Sequence, residues 1–397
     1  SDVYKRQIGI RLIMKEFETL SWERLRAEPL FELRRAGRYL VAELKGAHHV
    51  VSTSVRHGGW AEHVGWLVNH QSCEGTAHVD RHHVVTEGGM EAYHDRVCEE
   101  VNLPSEHTAV MGTAANMNYV AITREVDEDV SVTAAVTAGV AGNATAAGEP
   151  ATWRETDTGM QKVPLYAGTI NTMLLINRPL TPAAMARVVV TMTEGKTAAL
   201  QRLAVPSKLH IDLATGTGTD QYCIAAPVSG GKVLTSASPH MKLGEIIGSA
   251  TREATLEALR WQNGLEVSYT RGVFHALGRF GVREETVFDD IAPFLSEGDL
   301  ELLKKNSKAA FFEPLVGAAA HAMAVVADRV RYGTLPASVA DDAMTQQAAT
   351  LAANLAAQAN RWSEFRSELR PFANGDVKSL VLRAVALGWS KKWRTGD

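Results

Sequence analysis

Cysteine is scarce: Cys73, Cys98 and Cys223 are all that 397 residues contain. Three thiols cannot make a disulfide framework, so the fold must rest on a packed core. No apolar run approaches the ~20 residues of a spanning helix. No basic amphipathic stretch suits a membrane surface. The net charge of -4 gives no electrostatic footprint for nucleic acid. IGIRLIM, near the N-terminus, is too short and interrupted for a signal peptide, and no small-residue cleavage site follows it. These absences lead us to expect a cytoplasmic protein with neither a nucleic-acid nor a membrane partner. HExxH, paired CxxC and the Gly-Lys-Ser/Thr ending of a phosphate loop are missing too. The opening SDVYKRQ resembles translated sequencing adapter. Met14 is therefore the expected start, and residues 1–13 carry no functional reading.

What is present suits an enzyme-sized globular protein. Hydrophobic residues make up 45% and charged residues 22%, enough for one large core or two. Residues 15–36 are charged and helix-capable, so 1–38 reads as an N-terminal helical segment. From Tyr39 strand-like runs begin: YLVAEL, HHVVSTSV, YVAIT, VSVTAAVTAGV, TMLLI and Cys223–Ala226. Residues 91–101 read as a helix, and the Gly-, Ala-, Thr- and Pro-rich 141–165 as a long loop. Thr181-Pro182 opens a helix over 181–204, with Met185, Val188, Val189, Met192, Ala199 and Leu203 as its buried stripe. A further helix runs to Asn263, with Gly264 as its stop. Past that glycine the chain is helix-rich. Ser296-Glu-Gly-Asp299 resembles a capping box, and Ala-rich helices follow at about 315–332 and 338–367. The reading is an α/β (α+β) chain: a core domain over 39–265, a mixed sheet flanked by helices, then a helical domain over 266–397. The helical part could serve oligomerisation, cover the core or close over a ligand.

The densest chemical signal is Ala214-Thr-Gly-Thr-Gly-Thr-Asp220. Gly216 and Gly218 allow close approach of a ligand or strand. Thr215, Thr217 and Thr219 offer hydroxyls, and Asp220 a charge. It is not a dinucleotide fingerprint, because Gln221 stands where a third glycine belongs. A Gly/Thr turn between strands is the bland alternative.

Other segments join it in order. TAGV (137–140), GTIN (168–171), TEGKT (193–197), ATGTGTD (214–220) and His240 before KLGEIIG (242–248) follow one another. Ser52-Thr-Ser54, Gly58-Gly59, Asn69 and Met111-Gly-Thr-Ala-Ala115 precede them. This series resembles the adenosylcobinamide amidohydrolase family over roughly 40–264. Gly195 stands where the resemblance leads us to expect alanine, at a cost of ~1 kcal/mol of helix propensity. The resemblance implies hydrolysis of the amide joining aminopropanol to the corrin ring side chain, a salvage step yielding adenosylcobyric acid. The corrinoid cobalt then enters as part of the substrate, with no cofactor required.

Amide hydrolysis needs a nucleophile, oxyanion donors and an acid for the leaving amine. In that setting Glu194 is the expected general base or acid, against the bland reading of a solvated helix glutamate. Lys196 falls beside the apolar stripe of its helix, where it either snorkels or has a partner such as Glu194 or Asp220. Asn171 could donate to the oxyanion, Asp220 orient a water or the lysine, and His240 protonate the amine. Thr215, Gly216, Thr217, Gly218, Thr219, Gly168, Thr169, Asn143, Ser54 and Gly59 are the expected substrate contacts. Trp60, Trp66, Trp153 and Tyr222 could stack on the substrate or simply pack.

Ten of the fourteen histidines lie between His48 and His107. His78-x-x-x-His82 could place two imidazoles on one helical face. A zinc site and axial ligation of the substrate's cobalt are thus alternatives to a compositional bias. A corrinoid carrier without hydrolysis, and a metal-dependent amidohydrolase acting on another secondary amide, stay open as rival functions.

Overall fold

In a computed structural model the chain is described over residues 20–73, 82–151, 153–156, 159–162 and 168–393. It divides into two units. One ends at Gly264, and the other is Leu265–Asp397 with His210–Asp212.

The first unit carries two mixed sheets. One has the order β1 (Glu23–Glu28), β2 (Phe31–Ala36), β3 (Tyr39–Leu44), β6 (Trp66–Gln71), β7 (Thr108–Thr113). The other has the order β5 (Gly59–Ala61), β4 (His48–Ser52), β15 (Gln221–Pro227), β13 (Ile170–Ile176), β9 (Val130–Ala138), β8 (Ala121–Asp127). Neighbours are antiparallel except β6–β7 and β13–β15. Two short pairs complete the set: β10 (Ala144–Thr145) with β14 (Gly216–Thr217), and β11 (Trp153–Thr156) with β12 (Gly159–Lys162).

Strand alternation explains how the sheets meet. Leu33, Leu40, Leu67 and Met111 of the first sheet share one core with Met173, Leu175, Cys223 and Ala225 of the second. Helices cover the outer faces. In α1 (His82–Glu100), Tyr93, Val97 and Cys98 pack with Tyr39, Val41, Val68 and Val110 of the first sheet. Beyond the second sheet, α3 (Lys242–Asn263) lies on β8 and β9, and α2 (Pro182–Arg202) packs on α3. The layers are helix, sheet, sheet, helix. This is why β13 is buried at all seven positions: a strand covered on both faces reads as a continuous apolar run.

The helical reading of 15–36 is corrected where the chain is described. Residues 23–36 form the β1–β2 hairpin. Phe31 and Leu33 point into the core, while Arg35 pairs with Glu23 and Arg34 with Glu43 across strands. The charges that suggested a solvated helix pair across the strands of a sheet. The loop expected over 141–165 also contains β10, β11 and β12.

Helix α2 begins as read: Thr181 Oγ1 accepts from Ala184 N and Pro182 takes the first turn. Gly195 has a packing reason. A Cβ there would lie 2.7 Å from the carbonyl oxygen of Gly248 on α3, so the backbones approach too closely for alanine.

The second unit is helical and has its own core, with Phe274, Phe311, Met323, Leu351, Phe365 and Trp389. Its longer helices are α4 (Pro314–Arg331), α5 (Ala340–Ala356), α6 (Trp362–Leu369) and α7 (Val377–Lys391). The single helix expected over 338–367 is broken after Ala356 by Ala357 in the left-handed region, φ 57°. No helix of the described residues is long and apolar enough to cross a membrane.

Candidate active site

The inter-sheet layer is apolar along most of its depth and polar where β13 and β15 begin. Asn171 pairs in register with Thr137 on β9 and Gln221 on β15. Its side chain is fully buried and faces the first sheet, on the same strand face as Met173 and Leu175. Asn171 Nδ2 donates to Asn69 Oδ1 at 2.8 Å and to the Gly112 carbonyl at 3.0 Å. Asn69 Nδ2 donates onward to Thr137 Oγ1 at 2.8 Å. Asn171 Oδ1 is buried without a hydrogen-bond partner. A buried acceptor left unpaired costs on the order of 1–3 kcal/mol.

The ATGTGTD segment is a latch that sets this end of the sheet. Lys196, on α2, pairs with Asp220 Oδ2. Asp220 also accepts from Ile170 N at 3.0 Å, Thr217 N at 3.0 Å and Thr217 Oγ1 at 2.6 Å. One carboxylate thus ties α2 to the starts of β13 and β15. A Cβ at Gly216 would fall 2.5 Å from Asp220 Oδ2 and 2.9 Å from Lys196 Nζ, so the ion pair occupies the space a side chain would need. Thr219 Oγ1 donates to the Gly168 carbonyl at 2.8 Å and lies 2.6 Å from Thr169 Oγ1. Asn143 joins Thr219 and Gly218 N, each at 3.3 Å. Thr215 Oγ1 accepts from Ala147 N, and its carbonyl from Thr197 Oγ1. The structure therefore gathers Asn143, Gly168, Thr169, Lys196 and residues 215–220 into one polar network, with Asn171 one residue beyond Ile170.

Four expected residues stand elsewhere. Glu194 is exposed on α2, and among the described residues no hydrogen bond or ion pair reaches it. His240 is exposed in the turn before α3. Ser54 is buried, and its Oγ accepts from Val110 N at 3.0 Å, bracing the loop after β4 against β7. Gly59 is exposed at the start of β5. Trp60 is exposed and Trp66 packs beside α1. His78 and the side chains of His82, His83 and Trp153 lie outside the described residues.

Several of the described histidines hydrogen-bond one another or the backbone. His63 Nε2 donates to His57 Nδ1 at 3.0 Å, and His57 Nε2 to the Ser105 carbonyl at 3.1 Å. His107 Nδ1 donates to the His63 carbonyl at 2.9 Å. Among the described residues no three His, Cys, Asp or Glu side chains are grouped to hold a metal ion. Burial pushes the Cys98 thiol up to about 11 and the Cys223 thiol up to about 12. Both are protonated at neutral pH and unsuited to nucleophilic attack.

A cavity of about 210 Å³ opens beside the polar end of the sandwich. Thr53, Val55, Met90, Tyr93, His94, Val110, Gly112 and Gln221 line it. Gly112 joins it to the network: its carbonyl takes Asn171 Nδ2, and its N–H donates to Gln221 Oε1 at 2.8 Å. Gln221 Nε2 makes no hydrogen bond among the described residues. His94 is fully buried. Its Nε2 donates to the Ser105 carbonyl at 3.3 Å, and its Nδ1 has no partner. Burial holds this imidazole below its ordinary 6.5, so it is neutral at pH 7 with the Nδ1 lone pair free.

The sequence reading passed over His94 and Gln221, yet each leaves a signal. His94 sits three and four residues before Val97 and Cys98, a polar ring on a buried helical stripe. Gln221 shares a strand face with Cys223 and Ala225, so an amide stands where alternation calls for an apolar residue.

A sequence model described as adenosylcobinamide amidohydrolase (CbiZ) matches residues 26–267. The chain is also 35% identical over 184 residues to an uncharacterized protein of Methanocaldococcus jannaschii, spanning 44% of this chain and 71% of that one. The matched region contains the latch, the polar end of the sandwich and the cavity.

Proposed function

The chain belongs to the adenosylcobinamide amidohydrolase family, and from that premise we propose that it hydrolyses the aminopropanol amide of adenosylcobinamide to give adenosylcobyric acid and aminopropanol. A hydrolase is what the family description supports; the particular amide is our reading, as is its place in corrinoid salvage in the cytoplasm. The observation that carries it is a small cavity within the family-matched region, its mostly apolar wall of Val55, Met90, Tyr93 and Val110 interrupted by Thr53, His94 and Gln221. At about 210 Å³ it is below the ~300–1,000 Å³ of sites that engulf drug-sized ligands. A corrin macrocycle cannot enter, but a side-chain amide with a three-carbon amine can. The substrate would lie with its ring outside and its amide arm inserted.

In this reading Asp220 and Lys196 are positioning residues. Asp220 is saturated by donors from the chain itself, so it fixes the starts of β13 and β15 rather than receiving a substrate proton. Asn171 clamps Gly112, which lines the cavity, through Nδ2 and is a positioning residue too. Glu194 and His240, both exposed, have no part in it.

Incubation of the protein with adenosylcobinamide, followed by mass spectrometry, tests the proposal. Adenosylcobyric acid and free aminopropanol are expected with or without chelator. Loss of product only with chelator would favour the metal-dependent rival. Corrinoid binding without product would favour the carrier, and neither binding nor product would refute this substrate.

A further inference from the structure

We propose that His94 and Gln221 are the catalytic residues of the amide cleavage, His94 Nδ1 moving the proton and Gln221 Nε2 holding the oxyanion. The assignment rests on the amidohydrolase reading and goes beyond it, since neither residue belongs to the Gly/Thr segments that mark the family resemblance. Two independent observations carry it. Both side chains line the same cavity, on α1 and at the start of β15. Each is held by one end and unpaired at the other among the described residues: Ser105 fixes His94 through Nε2, and Gly112 fixes Gln221 through Oε1.

The carbonyl of Ser105 can only accept, so His94 Nε2 carries the proton and Nδ1 the lone pair. The Gly112 N–H can only donate, so it fixes the amide orientation of Gln221 and leaves Nε2 as the open donor. A base and an amide donor lining one cavity are the parts that water attack on a carbonyl requires.

The step balances without a further reactant. Water oxygen bonds to the amide carbon while His94 Nδ1 takes one of its protons. The carbonyl π pair moves to oxygen and is held by Gln221 Nε2–H. His94 then returns that proton to the amide nitrogen as the C–N bond breaks. The products are a carboxylic acid, which ionises, and aminopropanol.

Charged and titratable groups around His94 are Asp95 on its own helix and Arg56 and His57 from the loop after β4. Asp95 is bound by Arg56 at 2.9 Å and Ser105 Oγ at 2.5 Å. This chain of contacts fixes the Ser105 carbonyl that orients the imidazole, and makes Asp95 a positioning residue.

The experiment compares wild type, His94→Gln and Gln221→Glu in aminopropanol release, with corrinoid binding measured separately by absorbance. Gln221→Glu keeps the acceptor for Gly112 N–H and removes the donor. Each variant should bind the corrinoid within a few-fold of wild type and lose about 10²–10³ in kcat. The wild-type kcat/KM should be flat near pH 7 and fall tenfold per unit below the depressed imidazole value, as Nδ1 protonates. His94→Gln should abolish that acid limb. A folded His94→Gln variant with wild-type turnover overturns the assignment while leaving the reaction intact. If His94→Gln does not fold, unimpaired Gln221→Glu together with a wild-type profile lacking the acid limb overturns it equally. Wild-type protein that releases no aminopropanol overturns both the assignment and the reaction beneath it.

Discussion

Single side chains at the polar end of the sandwich differ in how fully they are satisfied, and Asp220 stands at the satisfied extreme. Asp220 collects four donors, so its carboxylate is spent on geometry. Lys196→Met should leave that carboxylate part-buried with only neutral donors, costing about 2 kcal/mol of stability. Because the same carboxylate sets the strand starts, kcat should fall in the variant as well. Denaturant unfolding and aminopropanol release measure the two effects; a variant with unchanged midpoint and turnover would show that Lys196 is not the latch. Burial likewise holds both His48 and His94 below their ordinary 6.5. The unfolded chain therefore takes up protons first. Stability is fully present above about pH 6.5 and declines as pH falls from there toward the folded-state values, by at most ~1.4 kcal/mol per pH unit for each histidine. Thermal midpoints between pH 8 and 5 check this, and His94→Gln should flatten part of the slope. The lowered carboxylates, Asp95 and Asp212 among them, belong to a separate window, their contribution being lost only as pH falls below their ordinary 3.8.

Secondary-structure elements show what was legible in the sequence and what was not. The α2 helix announced itself through Thr181, Pro182 and a regular stripe, since capping and periodicity are local properties. The second sheet's strands were readable as apolar runs for the same reason. That two sheets stack was invisible, because Met173 shares its core with Leu33 and Met111, residues far off in sequence. The β1–β2 hairpin was misread because cross-strand ion pairs and helical surface charges have the same composition. His94 and Gln221 were passed over because an unsatisfied ring or amide is a fact of three-dimensional contact. Gly195 shows the same division. Propensity alone says alanine would improve α2 by ~1 kcal/mol. The crossing with Gly248 says otherwise, since backbone atoms at 2.7 Å must move. Gly195→Ala should therefore destabilise the protein by about 1–3 kcal/mol, the usual cost of overpacking. A raised urea midpoint would mean that α2 and α3 can separate without loss.

At the scale of the whole molecule, two cores argue for two folding units. Every residue of the latch, the polar sandwich end and the cavity lies before Gly264, and Gly264 ends α3 in the left-handed conformation, φ 62°. The helical unit has its own buried cluster, and at its surface Arg331 and Tyr332 bind Asp212, which belongs to the same unit. A chain stopped after Gly264 should then fold, with Asp212 losing part-exposed partners worth roughly 0–1 kcal/mol. It should release aminopropanol within about threefold of the full chain, because amide cleavage draws on side chains that the fragment retains. Circular dichroism and the release assay, run side by side, decide the point. A folded fragment that binds corrinoid but turns over a hundredfold more slowly would assign the helical unit a part in the reaction. A fragment that does not fold would show that the cores are not independent. Comparable turnover would leave the helical unit free for a role outside the chemistry, with self-association, measured by sedimentation of both forms, as the next property to compare.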